Sequence, residues 1–197
     1  MKTSVLRLLP LLAAGLFAAG CVVRSIHPWL SDESRVKEPS LAGAWHDAKG
    51  PCTAFFSESD DSDYDYDVLL VTDNQDVSRF SASLHQLGEQ YVLTVGPGDP
   101  DNLNGIVLLP GHLLLKAEMA GDALKLHGID LDAFRARAEQ AQVALAAGGS
   151  QTDGYTLAGD TEEVEAFVRA QLADPDFFDA QPLYAFRKLP AGAAPEK

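Results

Sequence analysis

The chain has 197 residues, 46% of them hydrophobic, with 29 acidic against 15 basic side chains and a net charge of −14. A length within the roughly 100–200 residues of a single domain argues against a multidomain array. The ordinary apolar fraction excludes wholesale disorder and collagen-like or coiled-coil rods. The negative balance repels phosphate backbones, so no nucleic acid partner is expected.

The first element reads as an address. Lys2 and Arg7 are followed by an uncharged apolar run over residues 8–19, and the small residues Ala18, Ala19 and Gly20 lead to Cys21. A basic start, an apolar core and a small-residue exit describe a signal peptide over residues 1–20. The run falls short of the roughly 20 residues that cross a bilayer, and Pro10 interrupts it. Ala18-Ala19-Gly20-Cys21 resembles the lipobox of bacterial lipoproteins, with Ala18 where Leu is more usual. That resemblance implies removal of residues 1–20 and lipidation of Cys21 by a diacylglyceryl thioether and an N-terminal acyl chain. Val22 in place of Asp after the Cys implies sorting to the outer membrane, with the protein lipid-anchored on the periplasmic side. Several acyl chains, at about 0.8 kcal/mol per buried CH₂, make a firm anchor. Without Lys2 and Arg7 the mature chain keeps 13 basic against 29 acidic residues, a net −16. Cys52 then has no intramolecular partner. Gly50-Pro51-Cys52-Thr53 offers no base to make a thiolate, so Cys52 is read as a packed small residue.

Residues 21–40, with Pro28, Pro39 and mixed charge, read as the lipidated N-terminus and a tether. A single globular domain is expected over 41–190 and a disordered tail over 191–197. Alternation predicts strands at residues 64–71, 80–85, 91–95, 113–119 and 124–126, and an apolar run predicts a short one at 106–109. In these, Phe80, Ala82 and Leu84 share one face, as do Leu113, Leu115, Ala117 and Met119. The short connections favour an antiparallel meander. Asp130 or Asp132 caps one predicted helix that turns Leu131, Phe134, Ala138 and Ala141 inward. Asp160, with Glu163 three residues on, caps another that carries Val164, Phe167, Val168 and Leu172. A last strand over 182–189 sets Leu183, Ala185 and Arg187 opposite Tyr184, Phe186 and Lys188. The expected fold is α+β: mainly an antiparallel meander, a curled sheet or small barrel, plugged or flanked by two α-helices that precede the final strand.

Gly43-Ala44-Trp45 resembles the G-x-W motif that opens the first barrel strand of lipocalins. The resemblance implies that Trp45 closes one barrel end against a basic residue of the last strand, Arg187 or Lys188, and Trp45 and Arg187 are the candidate ligand-binding residues. Both helices precede the last strand here, whereas lipocalins carry their long helix after it. The layout also resembles that of proteobacterial envelope lipoproteins of no assigned activity.

Other chemistry is sparse. Residues 58–67 hold six carboxylates, but in a calcium-loop register from Asp63 the Gly position is Val68 and the Glu position is Asn74. Asp63, Asp65 and Asp67 instead recur on one strand face at about 6.6–6.8 Å, a charged edge that resists sheet-to-sheet association. His46, His85, His112 and His127 show no metal-ligand spacing. No nucleophile elbow, phosphate loop or dinucleotide fingerprint is present. The sequence therefore predicts a non-enzymatic binding or interaction domain without metal or cofactor, serving an envelope protein partner. The alternative is a lipocalin-like carrier of a small apolar ligand, which predicts a cavity of about 300–1,000 Å³ opening near Trp45.

Overall fold

The computed structural model describes residues 22–74, 76–98, 111–145 and 154–190. The leader, Cys21, the strand expected at 106–109 and the tail at 191–197 lie outside them. Ten strands are described: β1 (Val22–Ser25), β2 (Gly43–Asp47), β3 (Cys52–Glu58), β4 (Asp65–Thr72), β5 (Val77–Leu87), β6 (Gln90–Pro97), β7 (Leu113–Ala120), β8 (Ala123–His127), β9 (Gly154–Leu157) and β10 (Tyr184–Lys188). Two α-helices accompany them, α1 (Leu131–Ala141) and α2 (Thr161–Gln171).

Eight of the strands close into a barrel in the order β10-β2-β3-β4-β5-β6-β7-β8. Every neighbouring pair is antiparallel, and β10 joins the circle by pairing Lys188 with Trp45 and Tyr184 with Leu126. The expected α+β meander is thus a closed barrel, an arrangement that leaves no edge strand exposed. Alternation sorts the side chains. Trp45, Ala54, Phe56, Tyr66, Val68, Ala82, Leu84, Leu93, Leu115, Ala117, Leu124 and Phe186 form an interior cluster. Their neighbours in sequence face outward.

The helices flank the barrel. Phe134 and Ala138 of α1, and Val164, Phe167 and Val168 of α2, build a second core on the outer side chains Leu87, Val92 and Leu114 of β5–β7. Phe134 and Phe177 each meet Phe167 edge-on, at centroid separations of 5.8 and 6.1 Å. Both helices are capped by aspartate: Asp130 accepts from Ala133 N at 2.7 Å, and Asp160 from Glu163 N at 3.0 Å.

Residues 22–40, expected as a tether, are part of the fold. β1 pairs in parallel with β9, Val23, Trp29 and Leu30 are buried in the second core, and Trp29 Nε1 donates to His112 O at 2.7 Å. Val23 and the adjacent pair Trp29-Leu30 suffice to seat this segment, although no periodicity announces them. The close packing of β1 on β9 requires Gly154: its φ is +96°, and a Cβ there would collide with the Val22 backbone.

Candidate functional site

Among the described residues, the barrel has a closed end and an open end. At the closed end, Trp45 is 2% exposed and its Nε1 donates to Leu41 O at 2.8 Å. Leu41 ends a short 3₁₀ turn (Pro39–Leu41) that lies across this end beside Tyr66. Tyr66 donates its hydroxyl proton to Glu38 O at 3.0 Å and accepts from Glu38 N at 2.9 Å. Lys188 Nζ stands 5.2 Å from the centroid of the Trp45 ring and donates to Ser40 O. Gly43, with φ +131°, leaves room for that lysine: a Cβ there would stand 3.0 Å from Lys188 Cε.

Of the two basic residues expected over Trp45, Lys188 is the one that stands there, and Arg187, the candidate ligand-binding residue, does not. It is exposed and pairs across the strands with His46, on the outer face. Neighbouring residues of a strand point to opposite faces, so Tyr184, Phe186 and Lys188 enter the barrel together and Arg187 cannot join them.

The opposite end carries a cavity of about 110 Å³ lined by Phe56, Val68, Leu70, Phe80, Val95, Leu113, Tyr184 and Phe186, among others. Leu70, Phe80, Val95 and Tyr184 are only half-buried, and Ser78, whose strand parity turns it inward, is exposed. The cavity is smaller than the lipocalin-like expectation and lies away from Trp45. The reason is local: Trp45, Leu41, Tyr66 and Leu84 fill the closed half with side chains. At the open rim, Asp47 is buried and accepts from Ala185 N at 3.1 Å and Lys49 N at 3.3 Å.

Cys52 is buried on the interior face. Burial, and then the charges of Asp47 and Asp73, push its thiol up to about 11, so thiolate is scarce at neutral pH. His85 is 1% exposed on the outer face, paired with Ser34 Oγ at 2.9 Å and Thr94 Oγ1 at 3.2 Å. His112 sits next to Gly96, where burial and then the neighbouring His27 lower its pKa. His127 donates through Nδ1 to Asp179 O at 2.8 Å, and His46 meets Thr53 Oγ1 at 3.1 Å. The four histidines thus occupy separate settings. Among the described residues, no group of three or more His, Cys, Asp or Glu side chains is placed to hold a metal ion. In the acidic segment, Asp65 pairs with Arg35 at 3.1 Å and Glu58 with Lys37 at 2.8 Å.

Sequence reasoning placed Phe80, Val95 and Leu113 on strands without assigning them to a site, and it passed over β3 with Ala54 and Phe56. The alternation of Cys52, Ala54 and Phe56 was the available signal, blurred by Phe55 on the other face. No family model, no curated protein and no solved structure matches the chain.

Proposed function

We propose that the protein is a lipid-anchored envelope protein, non-enzymatic, whose barrel binds a slender apolar group through its open end. The single observation carrying this reading is the cavity of about 110 Å³ with an almost wholly apolar lining, in a barrel closed at the other end by Trp45. An apolar cavity of roughly 150 Å³ in a protein core stays dry and takes up benzene, so a space of this kind favours hydrocarbon over water. Its size falls below the roughly 300–1,000 Å³ that holds drug-sized ligands, which selects the end of an alkyl or acyl chain over a bulky ring system. Attachment comes from the lipobox-like Ala18-Ala19-Gly20-Cys21, which supports an outer-membrane lipoprotein facing the periplasm. The scattered histidines and the largely protonated Cys52 support binding over catalysis.

Titration with cis-parinaric acid, a polyene fatty acid that fluoresces in apolar surroundings, tests the site. One probe per protein is expected, displaced by palmitate. Leu70→Trp, which fills the cavity from β4, is expected to weaken binding at least tenfold while preserving the circular dichroism spectrum. Binding unchanged in that variant would overturn the site. For the anchor, Cys21→Ser is expected to move the protein from the membrane to the soluble envelope fraction, and persistent membrane association would contradict lipid attachment.

A further inference from the structure

We infer that the cavity is matched to a short alkyl chain ending in an uncharged oxygen group, an alcohol or an ester, and that Tyr184 is the residue that recognises that oxygen. The inference rests on the reading of the cavity as a binding site and adds to it the chemistry of the ligand's polar end.

The volume sets the length of the chain. Benzene, with six carbons, occupies an apolar cavity of roughly 150 Å³, so the present 110 Å³ holds about four or five carbons. A group attached beyond them lies at the mouth, where β10 begins with Tyr184. Of the side chains that line the cavity among the described residues, Tyr184 alone carries a polar atom. Its ring stacks on Phe186 at a centroid separation of 5.2 Å and an interplanar angle of 13°, which fixes where the hydroxyl stands. Burial, and then the neighbouring Cys52 and Asp47, push the phenol pKa up, so the hydroxyl keeps its proton and is a donor at neutral pH. A long fatty acid still enters by its hydrocarbon tip and leaves its carboxylate outside the mouth, so parinaric acid reports on the cavity all the same.

Thr72 supplies a second donor. It follows Val68 and Leu70 on the inward face of β4 and pairs across the strands with Cys52. Its Oγ1 is buried and has no hydrogen-bond partner among the described residues. An unpaired buried hydroxyl is unfavourable, and an oxygen acceptor carried in by a ligand relieves it.

Charge selects against acids. Asp47 is 7% exposed, and its hydrogen bonds come from the backbone N–H groups of Ala185 and Lys49. Its negative charge stands near enough to Tyr184 and Cys52 to act on both. The polar side chains that strand parity turns inward beside it, Cys52, Thr72, Ser78 and Tyr184, are all uncharged at neutral pH. Residues 99–110, outside the described ones, include Asp99 and Asp101 but no Lys, Arg or His. Lys49 is exposed to water, where an ion pair contributes little. A short carboxylate seated at Tyr184 therefore meets a like charge that water screens poorly, whereas an alcohol or ester oxygen accepts from Tyr184 at no such cost.

The test uses the chain with Cys21→Ser, kept free of detergent. Methyl NMR shifts of Val95 and Leu113 are followed as 1-pentanol, benzene or pentanoate is added. Tyr184→Phe is expected to weaken 1-pentanol about threefold or more and to leave benzene unaffected. Asp47→Asn, whose side-chain oxygen still accepts from both N–H groups, is expected to tighten pentanoate about threefold or more and to leave 1-pentanol within about twofold. Raising NaCl from about 20 to about 500 mM is expected to tighten pentanoate in the same direction without a substitution at Asp47. Pentanol affinity unchanged in Tyr184→Phe would overturn the role of Tyr184. Pentanoate binding as tightly as 1-pentanol before either substitution would overturn the selection against acids. Benzene binding with pentanol indifferent to Tyr184→Phe refutes the polar-end assignment alone. Methyls unmoved by benzene and pentanol, with no parinaric acid titration, refute the cavity itself.

Discussion

Trp45→Ala is expected to destabilise the barrel by about 3–5 kcal/mol, the cost of emptying a buried aromatic site. For a domain of this size that lowers Tm by roughly 6–20 °C. The effect has three sources. The ring fills the closed end at 2% exposure, its Nε1 satisfies Leu41 O, and its face receives the Lys188 ammonium. Lys188→Met isolates the last of these. It keeps the packing of the lysine stem but loses the cation and its bond to Ser40 O, so a loss of about 1–2 kcal/mol is expected. Arg187→Ala, on the outer face, is expected to change stability by less than about 0.5 kcal/mol. Chemical denaturation of the three variants orders them. A Trp45→Ala loss below about 1 kcal/mol would mean that the closed end is not held by this residue.

The second large effect is with acid. Burial, and then the charge of Arg35, depress the His85 pKa from 6.5 to about 4, against weaker opposing pulls from Glu165, Asp32 and Asp65. The unfolded imidazole takes up a proton near pH 6.5, whereas the folded one refuses it until pH about 4. Protons therefore favour the unfolded state between those values, and stability falls as pH is lowered through the window, by about 3 kcal/mol in all. His85 also ties the N-terminal segment to the barrel: its ring meets Ser34, and its backbone bridges to Arg35. Acidification should thus loosen residues 32–36 first. Urea midpoints at pH 7 and pH 4.5 measure the loss, and His85→Gln should shrink the difference between them. An unchanged pH dependence in that variant would place the acid sensitivity elsewhere.

Much of the barrel was legible in the sequence because period-two alternation over Phe80-Ala82-Leu84 and Leu113-Leu115-Ala117 leaves little choice of face. Both helix starts were legible for the same kind of reason: an Asp cap next to apolar residues at helical spacing is a local signal, read without tertiary knowledge. The segment around Trp29 was not legible, since its burial depends on α1, α2 and Leu114, which are remote in sequence. β9 was missed because a four-residue strand whose ladder partner is the equally short β1 has no pattern of its own. Of the site, Trp45 was found through Gly43-Ala44-Trp45, and its cationic neighbour was left between Arg187 and Lys188, with Arg187 alone taken as a binding residue. The sequence held the means to settle that point: Tyr184 and Phe186 are the bulky apolar face of β10, and Lys188 shares it while Arg187 does not. The position of the cavity was not legible at all. It is set by which end Trp45, Leu41 and Tyr66 fill, and that depends on the way the Pro39–Leu41 turn crosses the barrel.

The central claim is that the barrel interior, and not its outer face, takes the apolar group. Methyl NMR of the protein with a doxyl-labelled fatty acid tests it most directly, because paramagnetic broadening reports which side chains surround the label. The account predicts broadening of Leu70, Val95 and Leu113 inside the open end, with Leu41 and Leu84 at the closed end unaffected. Broadening of Leu69, Val71 and Val77 on the outer face, with the interior methyls sharp, would contradict it.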